Sequence, residues 1–205
     1  MLDLQSIIAR LEAVERGFGP IKAEAEQIVA GHGTAGSLAI ARELLESPIH
    51  QARMLAVFIL GMSAHEAPEA FALMLESVSH DPDWRVQEIL AQAFDCYCGH
   101  TGYELAVPVI GQWLAHTNPN VRRAASEGLR VWTARPYFRD NPHVAVSLLS
   151  PLRADPSEYV RKSVGNALRD ISRRHTQLVR GELDTWNLSD PLVAYTHKLA
   201  ARFLR

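Results

Sequence analysis

Residues 118–130, NPNVRRAASEGLR, decide the fold. An Asn-Pro turn opens the stretch, since proline presets the first helical φ and asparagine closes a turn on its own backbone. A helix follows, with adjacent arginines at Arg122 and Arg123 and a carboxylate, Glu127, four residues beyond the second. The stretch is echoed downstream at 155–170, DPSEYVRKSVGNALRD, and more faintly upstream at 81–95, DPDWRVQEILAQAFD.

The echoes fall in register with a longer pattern. Pro48, Pro82, Pro119 and Pro156 lie 34, 37 and 37 residues apart, each between two helical segments. The pattern predicts helix pairs at 37–46 and 50–62, 67–79 and 84–96, 102–116 and 121–132, 142–153 and 158–175, with a last pair at 177–186 and 191–205. Ahead of them, apolar residues at Leu4, Ile7, Ile8, Leu11 and Val14 recur at helical spacing, and a second helix covers 21–30. The glycines of GHGTAG, residues 31–36, end that helix, and Ser37 caps the next. No lysine of a phosphate loop follows them. No segment alternates with period two, so no sheet is expected.

A self-similar helix–turn–helix unit of this length marks an α-solenoid, in which each unit buries its apolar face on its neighbours. The expected fold is therefore all-α, a HEAT-like helical-repeat superhelix of about five to six helix pairs. One domain is expected over residues 1–205. The Asp-Pro and Val-Arg pattern favours HEAT over tetratricopeptide repeats, and no Thr-Pro-Leu-His string of ankyrin type occurs.

Composition narrows the class. The chain has 205 residues, 47% apolar and 21% charged, and no apolar run approaches the roughly 18–20 residues that span a bilayer. Its first residues mix acids and arginines into the apolar pattern and lack a basic leader, so no signal peptide is expected. Two cysteines provide no disulfide framework, and a reducing cytoplasm is the expected setting. The net charge of −2 conceals an asymmetry. Residues 1–120 hold 6 basic and 15 acidic side chains, whereas residues 121–180 hold 12 and 5. A basic half on an acidic chain suits local contact with a phosphate backbone, and equally a solvated arginine-rich surface.

Aligning the second helices on Val86, Val121 and Val160 places Glu88, Arg123 and Lys162 two residues on. Gln92, Glu127 and Asn166 follow four residues later on the same helix faces. Trp84 precedes the first column and Asp170 closes the last. Ile89, Ala124, Leu129, Val164 and Leu168 fall at other angles, toward the core. Such a polar ladder suits a binding surface, and it also suits salt bridges that hold repeats in register.

The strings VRRAASEGLR and YVRKSVGNALRDISRRH resemble the DNA alkylation repair glycosylases of the HEAT-like superfamily, whose branches include AlkC and AlkD types. The first two strings are similar to AlkC-type motifs, and Trp84-Arg-Val-Gln-Glu88 is similar to the AlkD-type tryptophan followed four residues on by an acid. The resemblance covers residues 81–186. It implies a DNA glycosylase that removes alkylated, cationic purines such as 3-methyladenine and 7-methylguanine by hydrolysing the N-glycosidic bond. It further implies double-stranded, alkylated DNA as partner, and a monomeric protein with no cofactor, metal or membrane.

Carried over residue by residue, the resemblance makes Glu88, Glu127 and Asp170 the candidate catalytic acids. Trp84, Arg123, Trp132, Asn166 and Glu104 become the candidate lesion-binding residues. Arg122, Arg130, Arg161, Lys162 and Arg169 become the candidate DNA-backbone contacts. Asn166 stands where the AlkD type has a second tryptophan, as in the AlkC type. Trp132, in LRVWTARPYF, is shifted from the AlkC-type position, and Arg135 or Tyr137 stands as an alternative there. A chain that mixes two branches also suits a catalytically silent HEAT-like module binding DNA or a protein partner.

Other constellations carry less. Cys96, Cys98 and His100 lack a fourth ligand at zinc spacing, and Ser126 and Ser163 have no His–Asp partner for a hydrolase triad. Trp113 and Trp186 are expected in the core between repeats.

Overall fold

The breaks at Pro48, Pro82, Pro119, Pro156 and Pro191 are built the same way. The residue before the proline turns its side-chain oxygen onto the backbone N–H two positions on. Asp81 accepts from the Asp83 N–H at 2.8 Å, Asn118 from Asn120 at 2.9 Å and Asp155 from Ser157 at 2.8 Å. Ser47, before Pro48, accepts from Ile49 at 3.2 Å, and Asp190, before Pro191, from Leu192 at 2.8 Å. Short polar side chains close such turns, and a proline in the first helical turn loses no N–H that the helix would use. In this computed structural model, which describes residues 2–14 and 17–204, these turns separate the helices of an all-α, HEAT-like fold. Among the described residues there is no strand, and Arg205, the last residue of the expected final helix, lies outside them.

The chain divides into two compact units, Met1–His100 and Thr101–Arg205. The first contains α1 (Leu4–Glu12), α2 (Gly19–Leu45), α3 (His50–Ser63), α4 (Pro68–Glu76) and most of α5 (Trp84–Thr101). The expected break at residues 31–36 is narrower than the glycine count implies. α2 runs on through it, and only Gly33, at φ 61°, leaves helical geometry. Ser37 does not cap a new helix; it is buried inside α2. The remaining backbone hydrogen bonds of the helix outweigh two scattered glycines, at roughly 1 kcal/mol each. Only the glycine with positive φ bends it. α3 and α5 approach closely, because a Cβ on Gly61 would lie 2.6 Å from the Ala93 Cα.

The second unit contains α6 (Tyr103–Leu114), α7 (Pro119–Gly128), α8 (Pro136–Asp140), α9 (Pro142–Leu149), α10 (Glu158–Ser172), α11 (Thr176–Leu183) and α12 (Pro191–Ala200). α10 is central and packs on α7, α9, α11 and α12. The aligned valines and the residues expected toward the core are buried: Val121, Leu129, Val160, Val164 and Leu168 are fully enclosed here, as are Val86 and Ile89 in the first unit. Trp113 and Trp186 are buried as well.

Gly165 is where α10 meets α12. A Cβ there would lie 2.7 Å from the Leu199 Cβ and 3.0 Å from the Thr196 carbonyl. Gly165→Val is therefore expected to cost about 1–3 kcal/mol or more by overpacking, because a backbone carbonyl cannot rotate away. Urea denaturation measures it, and an unchanged midpoint would contradict so close an approach.

Candidate nucleic-acid interface

The position after each aligned valine points at the turns. Arg122 Nη1 donates to the His116 and Thr117 carbonyls at 2.7 and 2.8 Å. Its Nε and Nη2 grip both oxygens of Asp155, in the turn of the following repeat, at 2.7 and 2.9 Å. Arg53 does the same in the first unit, with the Ser47 and Pro48 carbonyls and both oxygens of Asp81. Arg161 Nη1 donates to the Asp155 and Pro156 carbonyls. Gln87 fills the same role, giving its Nε2 to the Val78, Ser79 and Asp81 carbonyls.

Arg122 and Arg161, expected at the DNA backbone, are thus buried struts of the repeat. Each sits one residue from a buried valine, and at 100° per residue that angle faces the turn rather than the solvent. The ladder residues, a further 100° round, do reach the surface. Arg123, Glu127 and Asn166 are half-buried, Lys162 is exposed, and in the first unit Glu88 is half-buried and Gln92 exposed.

In the first unit, α5 opens with Trp84, 65% exposed, and carries Glu88 one turn further along the same face. The Arg85 guanidinium stands 5.1 Å from the centre of the Trp84 ring and pairs with Asp83 at 3.1 Å. The face of an exposed indole attracts cations.

In the second unit, α7 and α10 bring several predicted residues into one network. The Ser126 hydroxyl donates to Ser163 at 2.9 Å, and the Ser163 hydroxyl to Glu127 Oε2 at 2.8 Å. Arg130 bridges two acids, donating Nη1 to Glu127 Oε1 at 2.9 Å and Nε to Asp170 Oδ2 at 2.8 Å. Arg169 donates to Asp170 Oδ1 at 3.0 Å and to Asn166 Oδ1 at 2.9 Å. Two carboxylates and two guanidiniums leave this cluster electrically neutral. The two serines and the bridging role of Arg130 are absent from the sequence expectations. Their only trace is that Ser126 and Ser163 fall on the facing sides of two aligned helices.

Asp170 is buried, and burial is the largest single influence on its carboxyl, pushing its pKa up. The hydrogen bonds and charges of Arg130 and Arg169 together outweigh it and hold the group below the ordinary carboxylate range. It is ionised at neutral pH and is no proton donor. The unfolded chain therefore binds a proton at a higher pH than the folded one. The stability from this group is present above the ordinary carboxylate range and disappears as pH falls through the lowered value. Asp170→Asn is accordingly expected to flatten the loss of stability on acidification, followed by thermal melts across an acid pH series. An unchanged acid slope would contradict the assignment.

Two further expectations meet a different geometry. Trp132, expected at the lesion, is wholly enclosed; its Nε1–H donates to the Ser126 carbonyl at 3.2 Å and its ring meets Phe138 edge-on. No base can stack on it. α7 ends at Gly128, which lets the chain fold the following indole inward. Arg135 donates to the Gly128, Arg130 and Val131 carbonyls and finishes that helix end, while Tyr137 packs on Phe138. Glu104 is exposed in the first turn of α6, where a negative charge suits the helix dipole, and makes none of the bonds of the Glu127 network.

Cys96 and His100 belong to a local contact, in which His100 Nδ1 lies 2.9 Å from the Cys96 carbonyl and the His100 ring stacks on His65 at 4.4 Å. Burial pushes the Cys96 thiol upward, which keeps it a neutral thiol. Among the described residues, no group of three or more His, Cys, Asp or Glu side chains is placed to hold a metal ion. No helix among them is long and apolar enough to cross a membrane.

Known proteins share this fold. The model of the DNA alkylation repair enzyme family matches residues 19–200. AlkD2 from Streptococcus mutans is 42% identical and superposes with a TM-score of 0.94 over 98% of this chain and 99% of its own. An alkylpurine DNA glycosylase from Pseudomonas fluorescens, AlkC, solved bound to DNA containing an abasic site analog, is 24% identical. Its TM-score is 0.54 over 96% of this chain and 64% of its own, so it shares the fold. YhaZ from Bacillus subtilis, an uncharacterized protein, is 41% identical over 96 residues; that stretch is 45% of this chain and 27% of YhaZ. The chain belongs to the DNA alkylation repair enzyme family.

Proposed function

We propose that the protein binds duplex DNA and excises alkylated, cationic purines such as 3-methyladenine and 7-methylguanine. The observation that carries this reading is the exposed Trp84 one helical turn ahead of Glu88 on α5. An indole face attracts a cationic nucleotide, by about 0.5–2 kcal/mol according to its desolvation. Alkylation supplies the positive charge and makes the base a good leaving group, so the reaction needs no strong general acid. The C1′–N bond breaks with its electron pair going to the base, which departs neutral. The sugar left behind is oxocarbenium-like, and the oxygen of a water then bonds to C1′ as its proton is lost to solvent.

A carboxylate beside C1′ stabilises that cation and orients the water. Glu88 is assigned to this role because it stands one helical turn beyond the exposed Trp84 on α5. Glu127 has both oxygens engaged by Arg130 and Ser163, and Asp170 has both engaged by Arg130 and Arg169. Those two acids are assigned to holding α7 and α10 in register. In the second unit, Arg123 and Asn166 are assigned to lesion binding and Lys162 to a backbone phosphate. The protein is assigned to work as a cytoplasmic monomer without metal or cofactor.

A second reading is favoured by the neutrality of the Glu127–Arg130–Asp170–Arg169 cluster. A neutral cluster stabilises a cationic transition state weakly, as in a module that binds DNA, or a protein partner, without catalysis. Chromatography of bases released from methylated duplex DNA separates the two. The glycosylase reading expects free 3-methyladenine or 7-methylguanine above the spontaneous rate, and DNA binding with no release leaves the silent module. DNA binding that is steeply weakened by salt supports phosphate contact, and salt-insensitive association supports a protein partner.

A further inference from the structure

The last turns of the second unit gather arginines around an exposed aromatic ring. Phe203 is 44% exposed in the short 3-10 turn Ala201–Phe203 after α12. The Arg173 guanidinium lies 4.6 Å from the centre of its ring and the Arg169 guanidinium 5.8 Å. Arg180 Nη2 donates to the carbonyl of the next residue, Leu204, at 2.7 Å. Arg174 and Arg202, neighbours in sequence of two of these residues, are exposed.

The charge balance of the group is positive. Several arginines elsewhere answer carboxylates: Arg10 to Glu24, Arg42 to Glu69, Arg53 to Asp81, Arg122 to Asp155 and Arg139 to Asp140. Among the described residues, Arg173, Arg174, Arg180 and Arg202 form no ion pair with a carboxylate. Arg173 is held by a ring face and Arg180 by a carbonyl, which fix position without neutralising charge. Repulsion among neighbouring cations costs stability unless an anion joins them. The patch is also continuous with the polar ladder, because Arg169 touches Phe203 and is bonded to Asn166 and Asp170.

We propose that Arg173 and Arg180, held at Phe203 and Leu204, together with the exposed Arg174 and Arg202, grip the phosphate backbone of duplex DNA beside the second unit's part of the ladder. This rests on the DNA-binding reading above. Planar guanidiniums suit phosphate oxygens, and a row of them suits a row of phosphates. With Arg122 and Arg161 buried as struts and Arg130 and Arg169 in ion pairs, this patch joins Lys162 in supplying cations for the backbone.

Fluorescence anisotropy of a labelled, unmodified duplex, titrated with the full-length protein over a series of salt concentrations, tests the proposal. Each phosphate contact adds about 0.9 to the slope of log affinity against log salt. Arg173→Ala/Arg174→Ala is expected to lower that slope by roughly two and weaken binding at every salt concentration. Arg180→Ala/Arg202→Ala is expected to act in the same direction. Arg139→Ala, an exposed arginine neutralised by Asp140, is expected to leave the slope unchanged, and circular dichroism checks that each variant is folded. Folded patch variants with the wild-type slope, while wild type binds DNA, would overturn this assignment and leave the DNA reading standing. A wild-type protein that does not bind duplex DNA at low salt would overturn both.

Discussion

Asp155→Ala is expected to cost on the order of 3–5 kcal/mol of folding stability, because it leaves a buried guanidinium without its anion. The Asp155 side chain is 3% exposed and that of Arg122 is 10% exposed, so water cannot take over the lost contacts. Asp155 also closes its own turn on the Ser157 N–H, and the substitution loosens the start of α10. The effect is far above the range of about 0–1 kcal/mol typical of exposed pairs. Arg139→Ala, which breaks the exposed pair with Asp140, is the natural contrast. Urea denaturation of the three proteins measures the difference. Equal midpoints for Asp155→Ala and wild type would show that the strut carries no load.

Glu88→Gln is expected to slow base release about 100-fold or more while leaving the affinity for duplex DNA within a few-fold of wild type. Removing one group aimed at the charge that develops in the transition state costs about 100- to 1,000-fold in other enzymes. Glutamine keeps the shape and loses the charge. Glu127→Gln is the informative companion. If Glu127 is structural, the substitution lowers stability through its bonds to Arg130 and Ser163 more than it lowers the rate in folded protein. A larger rate loss for Glu127→Gln than for Glu88→Gln would move the chemistry to the α7–α10 network.

Several of these features were legible in the sequence. A serine, asparagine or aspartate before Pro48, Pro82, Pro119 and Pro156 predicts the side-chain-closed turns there, and the aligned valines predict the buried seam. Column positions two residues beyond each valine predict a polar surface strip. Other features were not legible, and the reasons are physical. Arg122 and Arg123 are adjacent and chemically identical, yet one is a buried strut and the other lies on the ladder. Only the 100° between them decides it, and the angle matters because a turn carboxylate waits on one side. A signal was present in the column one residue past each valine, where Gln87, Arg122 and Arg161 stand in register with Arg53. Those polar residues sit too close to the seam for all of them to face solvent.

Trp132 was misplaced for another reason. Where an aromatic residue after a helix points depends on where the helix stops, and α7 stops at Gly128 rather than running on to residue 132. The bond between Arg130 and Asp170 was hidden because it joins residues 40 positions apart in the chain. Helical periodicity describes one helix at a time, so it places side chains on faces without saying which of them meet.

The most direct measurement of the central claim is single-turnover release of 3-methyladenine and 7-methylguanine from methylated duplex DNA, with protein in excess and DNA binding confirmed by anisotropy. The wild-type protein is predicted to release at least one of these bases faster than spontaneous depurination, and Glu88→Gln to fall close to the spontaneous rate with its DNA binding intact. Wild-type protein that holds the duplex and releases neither base above the spontaneous rate would contradict the assignment of catalysis.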